Sequence, residues 1–254
     1  MSNDKAIKVA LIGNPNTGKT SLFNQLTGLN QKVGNYPGIT VDKKVGISQL
    51  PKNLVASIID LPGTYSINPT SLDENIVLKT LLNTSDEDFP DVIVVVADIE
   101  NIKRNLLLFS QIKDLQIPTI LALNMADQMD KKGISIDIDL LKKELKSEVV
   151  LISARKKHGI EELKMAIANY DRSNVDALAN ISDRIDADYF KSIKHSFPDF
   201  PLYKSWLYIT QIEDFANLSD KQKEEIKVYK KDEEKVKKYQ HRRLFSDISK
   251  LIIS

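Results

Sequence analysis

The chain has 254 residues, of which 42% are hydrophobic, and a formal net charge of +1 at pH 7. This length suits one large or two smaller domains, and the near-zero charge gives no electrostatic case for a nucleic-acid partner. Cysteine is absent, which excludes disulfides, thiolate metal sites and a cysteine nucleophile. There is no signal peptide, and the longest apolar run is far short of the ~20 residues that span a bilayer, so we expect a soluble chain.

The first predicted elements are a short apolar strand at residues 7–12 and a helix that begins near residue 19. Between them lies GNPNTGKT, which fits the phosphate-loop pattern G-x-x-x-x-G-K-[ST] in its strand–loop–helix context. Its glycines let backbone N–H groups turn towards phosphates, and the helix start adds partial positive charge. The lysine reaches the β- and γ-phosphates and the threonine hydroxyl ligates Mg²⁺. The predicted phosphate-site residues are Gly13, Asn14, Pro15, Asn16, Thr17, Gly18, Lys19, Thr20 and Ser21.

The next two strands carry the predicted contacts to Mg²⁺ and to the γ-phosphate. Residues 40–48 and 54–60 are separated by a turn too short for a crossover, so they predict an antiparallel hairpin. Asp60 ends the second strand beside the phosphate loop, where its carboxylate is expected to hold Mg²⁺, and Gly63 is expected to offer its N–H to the γ-phosphate. Thr40, in the loop ahead of the hairpin, is predicted to close over both groups.

Two later strands, at residues 118–123 and 149–152, are followed by residues that predict guanine recognition. An ionised Asp127 only accepts hydrogen bonds, and guanine presents two donors, N1–H and the 2-amino group, on one edge. Adenine would leave this carboxylate facing a lone pair. A helix N-cap is the alternative for Asn124 and Asp127 taken singly, but their order and flanking strands favour guanine. The predicted base-site residues are Asn124, Met125, Asp127, Ser153 and Ala154; Asn124 pairs on the other edge of the base, and the Ala154 N–H holds the guanine oxygen.

Strands and helices alternate up to about residue 170, which is typical of a mostly parallel sheet with helices on both faces. Beyond this point helical spacing dominates. We therefore predict an α/β P-loop domain at residues 1–170 and a small all-α domain at residues 171–254. Capping-box sequences begin at Ser71, ahead of a helix predicted over Asn75 to Leu82, and at Ser219, ahead of a Lys/Glu-rich helix with a solvated face.

Taken together, these motifs resemble those of the TRAFAC-type P-loop GTPases, and more specifically the cytosolic GTPase domain of the ferrous iron transport protein B (FeoB) family. The segments that carry this likeness are residues 14–24, 33–41, 60–66, 98–106 and 122–125. The resemblance implies a P-loop GTPase fold, mostly parallel with one antiparallel strand, followed by a helical domain that stabilises bound GDP and relays the nucleotide state. It also implies a membrane-embedded part of the same full-length protein, which carries Fe²⁺, and a place for this chain at the cytoplasmic face of the cell membrane.

Hydrolysis is predicted to be slow. Ras-like GTPases place a water-orienting glutamine directly after D-x-x-G, and this chain has Thr64 there. In FeoB-like GTPases the asparagine that matches Asn16 helps to ligate a monovalent cation. The resemblance therefore implies a K⁺ ion beside the phosphates. Its positive charge would act there as an arginine finger does in other GTPases. The predicted catalytic residues are Lys19, Asn16, Thr40 and Gly63. The predicted metal ligands are Thr20, Thr40 and Asp60 for Mg²⁺ and Asn16 for K⁺.

Three functions stay open at this point. The first is a slowly hydrolysing GTP/GDP switch that regulates a membrane Fe(II) transporter, with homo-oligomerisation left open. The second is a soluble assembly GTPase that acts on the ribosome or tRNA, against which the near-zero net charge argues. The third is a guanine-nucleotide binder that rarely turns over. No residue of the sequence itself identifies Fe²⁺, which depends on the resemblance alone.

Overall fold

The computed structural model describes residues 6–29, 31–36, 41–68, 71–173, 175–178, 182–211 and 218–230. The chain divides into two compact units, Met1–Lys113 with Ile117–Val175 and Asp114–Gln116 with Asp176–Ser254. The assignment of a GTPase domain to residues 1–170 and a helical domain to residues 171–254 stays a prediction. Thr40 lies outside the described residues, so its predicted role also stays a prediction.

The first unit contains one seven-stranded sheet. Its strands are β1 (Ile7–Gly13), β2 (Gln31–Asn35), β3 (Asp42–Gln49), β4 (Val55–Asp60), β5 (Val92–Asp98), β6 (Thr119–Asn124) and β7 (Val149–Leu151). They lie in the order β2-β3-β4-β1-β5-β6-β7. Strand β3 runs antiparallel to β2 and β4, and the remaining pairs are parallel. The predicted mostly parallel sheet with one antiparallel strand is confirmed, including the β3–β4 hairpin.

The helices of the first unit cover both faces of this sheet. They are α1 (Lys19–Thr27), α2 (Leu72–Leu82), α3 (Ile102–Lys113), α4 (Met129–Lys132), α5 (Ile138–Leu145) and α6 (Ile160–Ala168). Val9 and Leu11 share a core cluster with residues of α1 and α6. Ala10 and Ile12 point to the opposite face because side chains alternate along a strand, and they are fully buried as well.

The start of α2 shows one of the two hydrogen bonds of the first capping box and corrects the predicted helix limit. The Ser71 side chain accepts a hydrogen bond from the Glu74 backbone N–H at 3.3 Å, so Ser71 is the N-cap. The residue after an N-cap is already helical, and α2 therefore begins at Leu72, three residues before the predicted Asn75.

The parallel strands place the predicted site residues at one edge of the sheet. Gly13, Asp60 and Asn124 end β1, β4 and β6, and Leu11 of β1 lies opposite Asp60 of β4. The carboxyl ends of parallel strands form the crevice in which α/β proteins bind ligands. The loops that follow these strands therefore meet above the same edge.

The second unit is helical over its described residues. It contains α7 (Ser182–Ser196), α8 (Leu202–Thr210) and α9 (Asp220–Lys230). Phe190, Phe197 and Trp206 are almost fully buried. At the start of α9 the Ser219 backbone N–H donates to Gln222 Oε1 at 3.0 Å, and the Gln222 N–H donates to Ser219 Oγ at 3.3 Å, which confirms the second capping box. Among the described residues, no helix is both long and apolar enough to cross a bilayer.

Candidate functional site

Two glycines shape the loop between β1 and α1. Gly18, at φ +83°, precedes α1, and a Cβ atom there would lie 2.3 Å from Asn124 Nδ2. At Gly13 a Cβ atom would lie 2.5 Å from the Val96 carbonyl oxygen. Since real Cβ atoms do not approach other heavy atoms this closely, both positions require glycine, and the loop backbone lies directly against β5 and the end of β6.

The residues between these glycines divide into buried and exposed groups. Thr17 Oγ1 donates to the Asn14 carbonyl oxygen at 2.9 Å, which closes the loop from within. Asn14 is only 3% exposed, and neither polar atom of its side chain has a hydrogen-bond partner among the described residues. Pro15 and Asn16 are exposed, and Asn16 has φ +67°, a left-handed conformation that asparagine tolerates better than most residues.

Lys19, Thr20 and Asp60 form a cluster beside this loop. Lys19 Nζ makes an ion pair with Asp60 Oδ1, and Thr20 Oγ1 donates to Asp60 Oδ2 at 3.3 Å. The predicted phosphate-binding lysine thus lies beside two of the three predicted Mg²⁺ ligands, Thr20 and Asp60. They adjoin a cavity of about 410 Å³ whose lining includes Lys19, Asp42, Lys44, Asp60 and Asp73.

The oxygen atoms of this cluster suit Mg²⁺. A hydroxyl and a carboxylate are hard ligands, and Mg²⁺ usually takes one or two carboxylates together with phosphate oxygens rather than an all-protein cage. The described part of the chain has no group of three or more His, Cys, Asp or Glu residues that could hold a metal ion by themselves. Thr20 and Asp60 therefore fit an ion that is completed by a nucleotide.

Asn124 links the phosphate loop to the loop after β7. Its Nδ2 donates to the Thr17 carbonyl oxygen at 2.8 Å, and its Oδ1 accepts from the Ala154 N–H at 3.0 Å. The sequence predicted that Asn124 and Ala154 contact the base, and the structure brings them together but bonds them to each other. One N–H of the Asn124 amide is left for a base, so its predicted contact stays a prediction.

Asp127 is held as an oriented acceptor. Ser153 Oγ donates to its Oδ1 at 2.7 Å, and Gln128 Nε2 donates to its Oδ2 at 2.8 Å. Lys156 Nζ lies 3.6 Å from the same carboxylate. The hydrogen bond from Ser153 is the largest of the effects that lower the pKa of Asp127, so the carboxylate is ionised at neutral pH and presents acceptors only. Gln128 and Lys156 were not predicted, because no motif marks them.

The loop after β4 lies on the phosphate loop. The Thr64 N–H donates to the Gly13 carbonyl oxygen at 3.1 Å, and a Cβ atom on Gly63 would lie 3.4 Å from the Pro15 Cα atom. The Thr64 side chain is fully buried, and its hydroxyl lies 2.5 Å from the Ser66 carbonyl oxygen and 3.1 Å from Glu74 Oε1. Thr64 therefore faces α2 and does not take the place of a water-orienting glutamine.

Comparison with known proteins decides the family. The family model described as "Ferrous iron transport protein B" matches residues 7–167. The chain belongs to the FeoB family. This confirms the resemblance that the motifs indicate, and the sheet order and helices agree with the P-loop GTPase fold of FeoB G domains.

Curated FeoB relatives are much longer than this chain. The Fe(2+) transporter FeoB of Leptospira biflexa is 44% identical over 164 residues, which cover 65% of this chain and 23% of the relative. The Fe(2+) transporter FeoB of Shigella flexneri is 39% identical over 216 residues, which cover 82% of this chain and 27% of the relative. The chain thus spans about a quarter of the length of the curated FeoB proteins that it matches.

Solved FeoB structures match nearly the whole chain. A mutant S. thermophilus NFeoB bound to GDP has a TM-score of 0.79 at 33% identity and covers 96% of this chain and 98% of its own. The cytosolic domain of T. maritima FeoB in its GMPPNP form has a TM-score of 0.73 at 33% identity and covers 91% of this chain and 96% of its own. These FeoB proteins are described with guanine nucleotides.

Proposed function

We propose that this chain is the guanine-nucleotide switch of a FeoB transporter, and that it binds GTP and GDP and slowly hydrolyses GTP. The observation that carries this proposal is the Asp127 carboxylate, which Ser153 and Gln128 orient at the same edge of the sheet as the phosphate loop. An acceptor fixed in this way selects a base with two adjacent donors. The guanine nucleotides named for the solved relatives support the same ligand.

The Lys19–Asp60 ion pair suggests how these two side chains change their binding partners when a nucleotide enters the site. Asp60 neutralises Lys19 in a place where both side chains are largely buried. A bound nucleotide supplies Lys19 with phosphate oxygens, which frees Asp60 and Thr20 for Mg²⁺. When bound, Mg²⁺ neutralises charge on the β- and γ-phosphates. Each buried charge would thus keep a partner of opposite charge when the nucleotide binds.

We infer slow hydrolysis from the position of Thr64. Its hydroxyl contacts the Ser66 carbonyl oxygen and Glu74 inside the protein, so the attacking water has no side-chain guide from this position. Asn16 is exposed on the phosphate loop and offers an amide oxygen, which suits a monovalent cation as a ligand. We propose that K⁺ at Asn16 supplies the positive charge that speeds the reaction.

The test is single-turnover hydrolysis of GTP with Mg²⁺, in KCl and in NaCl. We expect phosphate release in both salts and a rate in KCl that is higher by about a hundredfold, the low end of what one well-placed electrostatic contact contributes to a transition state. Phosphate release undetectable over hours in either salt would contradict the proposed hydrolysis and would favour a regulatory binder.

Two variants of Asn16 separate the loss of the cation ligand from the strain of the backbone at this position. Asn16→Ala removes the amide oxygen but strains a residue at φ +67° by about 1 kcal/mol. Asn16→Gly removes the same oxygen without this strain. We expect both variants to lose the KCl advantage. Equal wild-type rates in the two salts, or a KCl advantage that survives in Asn16→Gly, would rule out the cation role.

The remaining three quarters of a FeoB protein would supply the membrane-embedded part. The curated relatives are described as Fe(2+) transporters, and we propose that this chain acts at the cytoplasmic face of the cell membrane, where its nucleotide state regulates passage of Fe²⁺. In this scheme the γ-phosphate holds the loop after β4, and hydrolysis releases it. The helical unit would relay this change.

A further inference from the structure

The loop after β4, residues 61–68, is held on α3 at two points. The Arg104 guanidinium carbon lies 4.0 Å from the centre of the Tyr65 ring. Further along the same helix, Gln111 Oε1 accepts a hydrogen bond from the Ile67 N–H at 3.2 Å. Positions 104 and 111 are two helical turns apart and lie on one face of α3. The loop therefore follows this face of the helix.

The two contacts differ in their environment. Ile67 and Gln111 are almost fully buried, so the inner contact is a fixed attachment. Tyr65 is 42% exposed and Arg104 is exposed, so solvent can reach the outer contact. Within the described residues Arg104 has no carboxylate at salt-bridge distance, and a guanidinium 4.0 Å above a tyrosine ring makes a favourable cation–π contact.

The start of α3 gives Arg104 a rigid base. Asn105, the next residue, is 3% exposed. Its Oδ1 accepts from the Asp98 N–H at 3.2 Å, and its Nδ2 donates to the Asn101 carbonyl oxygen at 2.7 Å. Asp98 is the last residue of β5, so the first turn of α3 is tied to the end of a central strand. Arg104 thus has a fixed position relative to the sheet.

The other side of Tyr65 leads directly to the phosphate loop. The Thr64 N–H is bonded to the Gly13 carbonyl oxygen, and Gly63 lies against Pro15. We propose that Arg104 is a positioning residue that acts through Tyr65 and keeps the Gly63 N–H in place for the γ-phosphate. This role rests on the proposed function, because only a bound GTP presents that phosphate.

The proposal predicts an effect on GTP that is absent for GDP. In Arg104→Ala we expect the affinity for GMPPNP and the kcat for GTP to fall by about two- to fivefold, the range of an exposed cation–π contact. The affinity for GDP stays as in wild type because GDP has no γ-phosphate. The melting temperature falls by no more than about 2–4 °C, since the exposed contact contributes at most about 1 kcal/mol, the equivalent of the fivefold change. Arg104→Lys keeps a cation over the ring and retains most of the wild-type ratio of GMPPNP to GDP affinity.

The Tyr65 variants complete a double-mutant cycle. Tyr65→Phe keeps the ring and is expected to behave as wild type, whereas Tyr65→Leu removes the ring and is expected to match Arg104→Ala. Arg104→Ala and Tyr65→Leu remove the same contact. The double variant should therefore lose no more affinity for GMPPNP than either single variant does. Lys103→Ala, which removes an exposed cation from the neighbouring position of α3, is the matched control and should change nothing.

Each of the following outcomes would overturn the proposal. If Arg104→Ala lowered the affinities for GDP and GMPPNP by the same factor, Arg104 would have a general structural role. Additive losses in the double variant would show that Arg104 and Tyr65 act independently. If wild type binds both nucleotides and Arg104→Ala leaves their ratio unchanged, the positioning role alone fails. If wild type binds neither nucleotide, the proposed function fails first, and the positioning role fails with it.

Discussion

Replacing Lys19 by methionine is expected to lower the affinity for GTP by about a hundredfold, because a charged contact to phosphate contributes roughly 1.5–3 kcal/mol. It is also expected to destabilise the nucleotide-free protein. Asp60 is 7% exposed and makes its ion pair with Lys19, and a buried charge left without its partner costs about 3 kcal/mol or more. Titration with a fluorescent GTP analogue and urea unfolding without nucleotide measure the two effects.

The double variant Lys19→Met/Asp60→Asn separates stability from binding. It removes both charges, so we expect most of the lost unfolding free energy to return while GTP binding stays weak. Lys143→Met, at an exposed position of α5, is the control and should leave both quantities unchanged. Wild-type GTP affinity in Lys19→Met would contradict the assignment of the phosphate loop.

The second large effect is expected for Asp127→Asn. The carboxylate can accept from guanine N1–H and from the 2-amino group, and an amide oxygen replaces only one of these acceptors. We expect GTP affinity to fall by about a hundredfold, because one charge-assisted hydrogen bond, worth roughly 1.5–3 kcal/mol, is lost and the other loses its charge. Xanthosine triphosphate, whose base has a carbonyl oxygen in place of the 2-amino group, should gain affinity because the new amide N–H donates to it. Competition against a fluorescent nucleotide measures both.

Inosine triphosphate makes this test specific. Inosine lacks the 2-amino group, so wild type should bind it more weakly than GTP, and Asp127→Asn should lose this discrimination. Asp130→Asn changes an exposed carboxylate close by in the chain and serves as the control. If Asp127→Asn lowered the affinities for GTP and for inosine triphosphate by the same factor, the carboxylate would not contact the 2-amino group of the base.

The fold was predictable where the sequence pattern reflects burial. β5 and β6 are completely buried apart from Asp98, which is partly exposed, and continuous apolar runs predict such strands. β2 was not predicted, because all five of its residues are exposed and its sequence, QKVGN, has neither an apolar run nor alternation. Its pairing with β3 depends on tertiary structure that no local pattern contains.

The site was predictable in its location and less so in its bonding. Parallel strands end at one edge, so motifs that follow strands converge there. The contacts of Asn124 join it to Thr17 and Ala154, which are far from it in the chain, and those of Thr64 and Arg104 depend on how α2 and α3 pack. Such contacts are set by side-chain geometry between distant elements, which a motif does not encode.

Calorimetric titration of the chain with GTP and with ATP, each with Mg²⁺, tests the central claim most directly. A fixed carboxylate facing adenine meets a lone pair in place of two donors, and such a mismatch discriminates by at least about a hundredfold. The account predicts clear heat of binding for GTP and an affinity for ATP lower by this factor. ATP bound as tightly as GTP, or neither nucleotide bound, would contradict it.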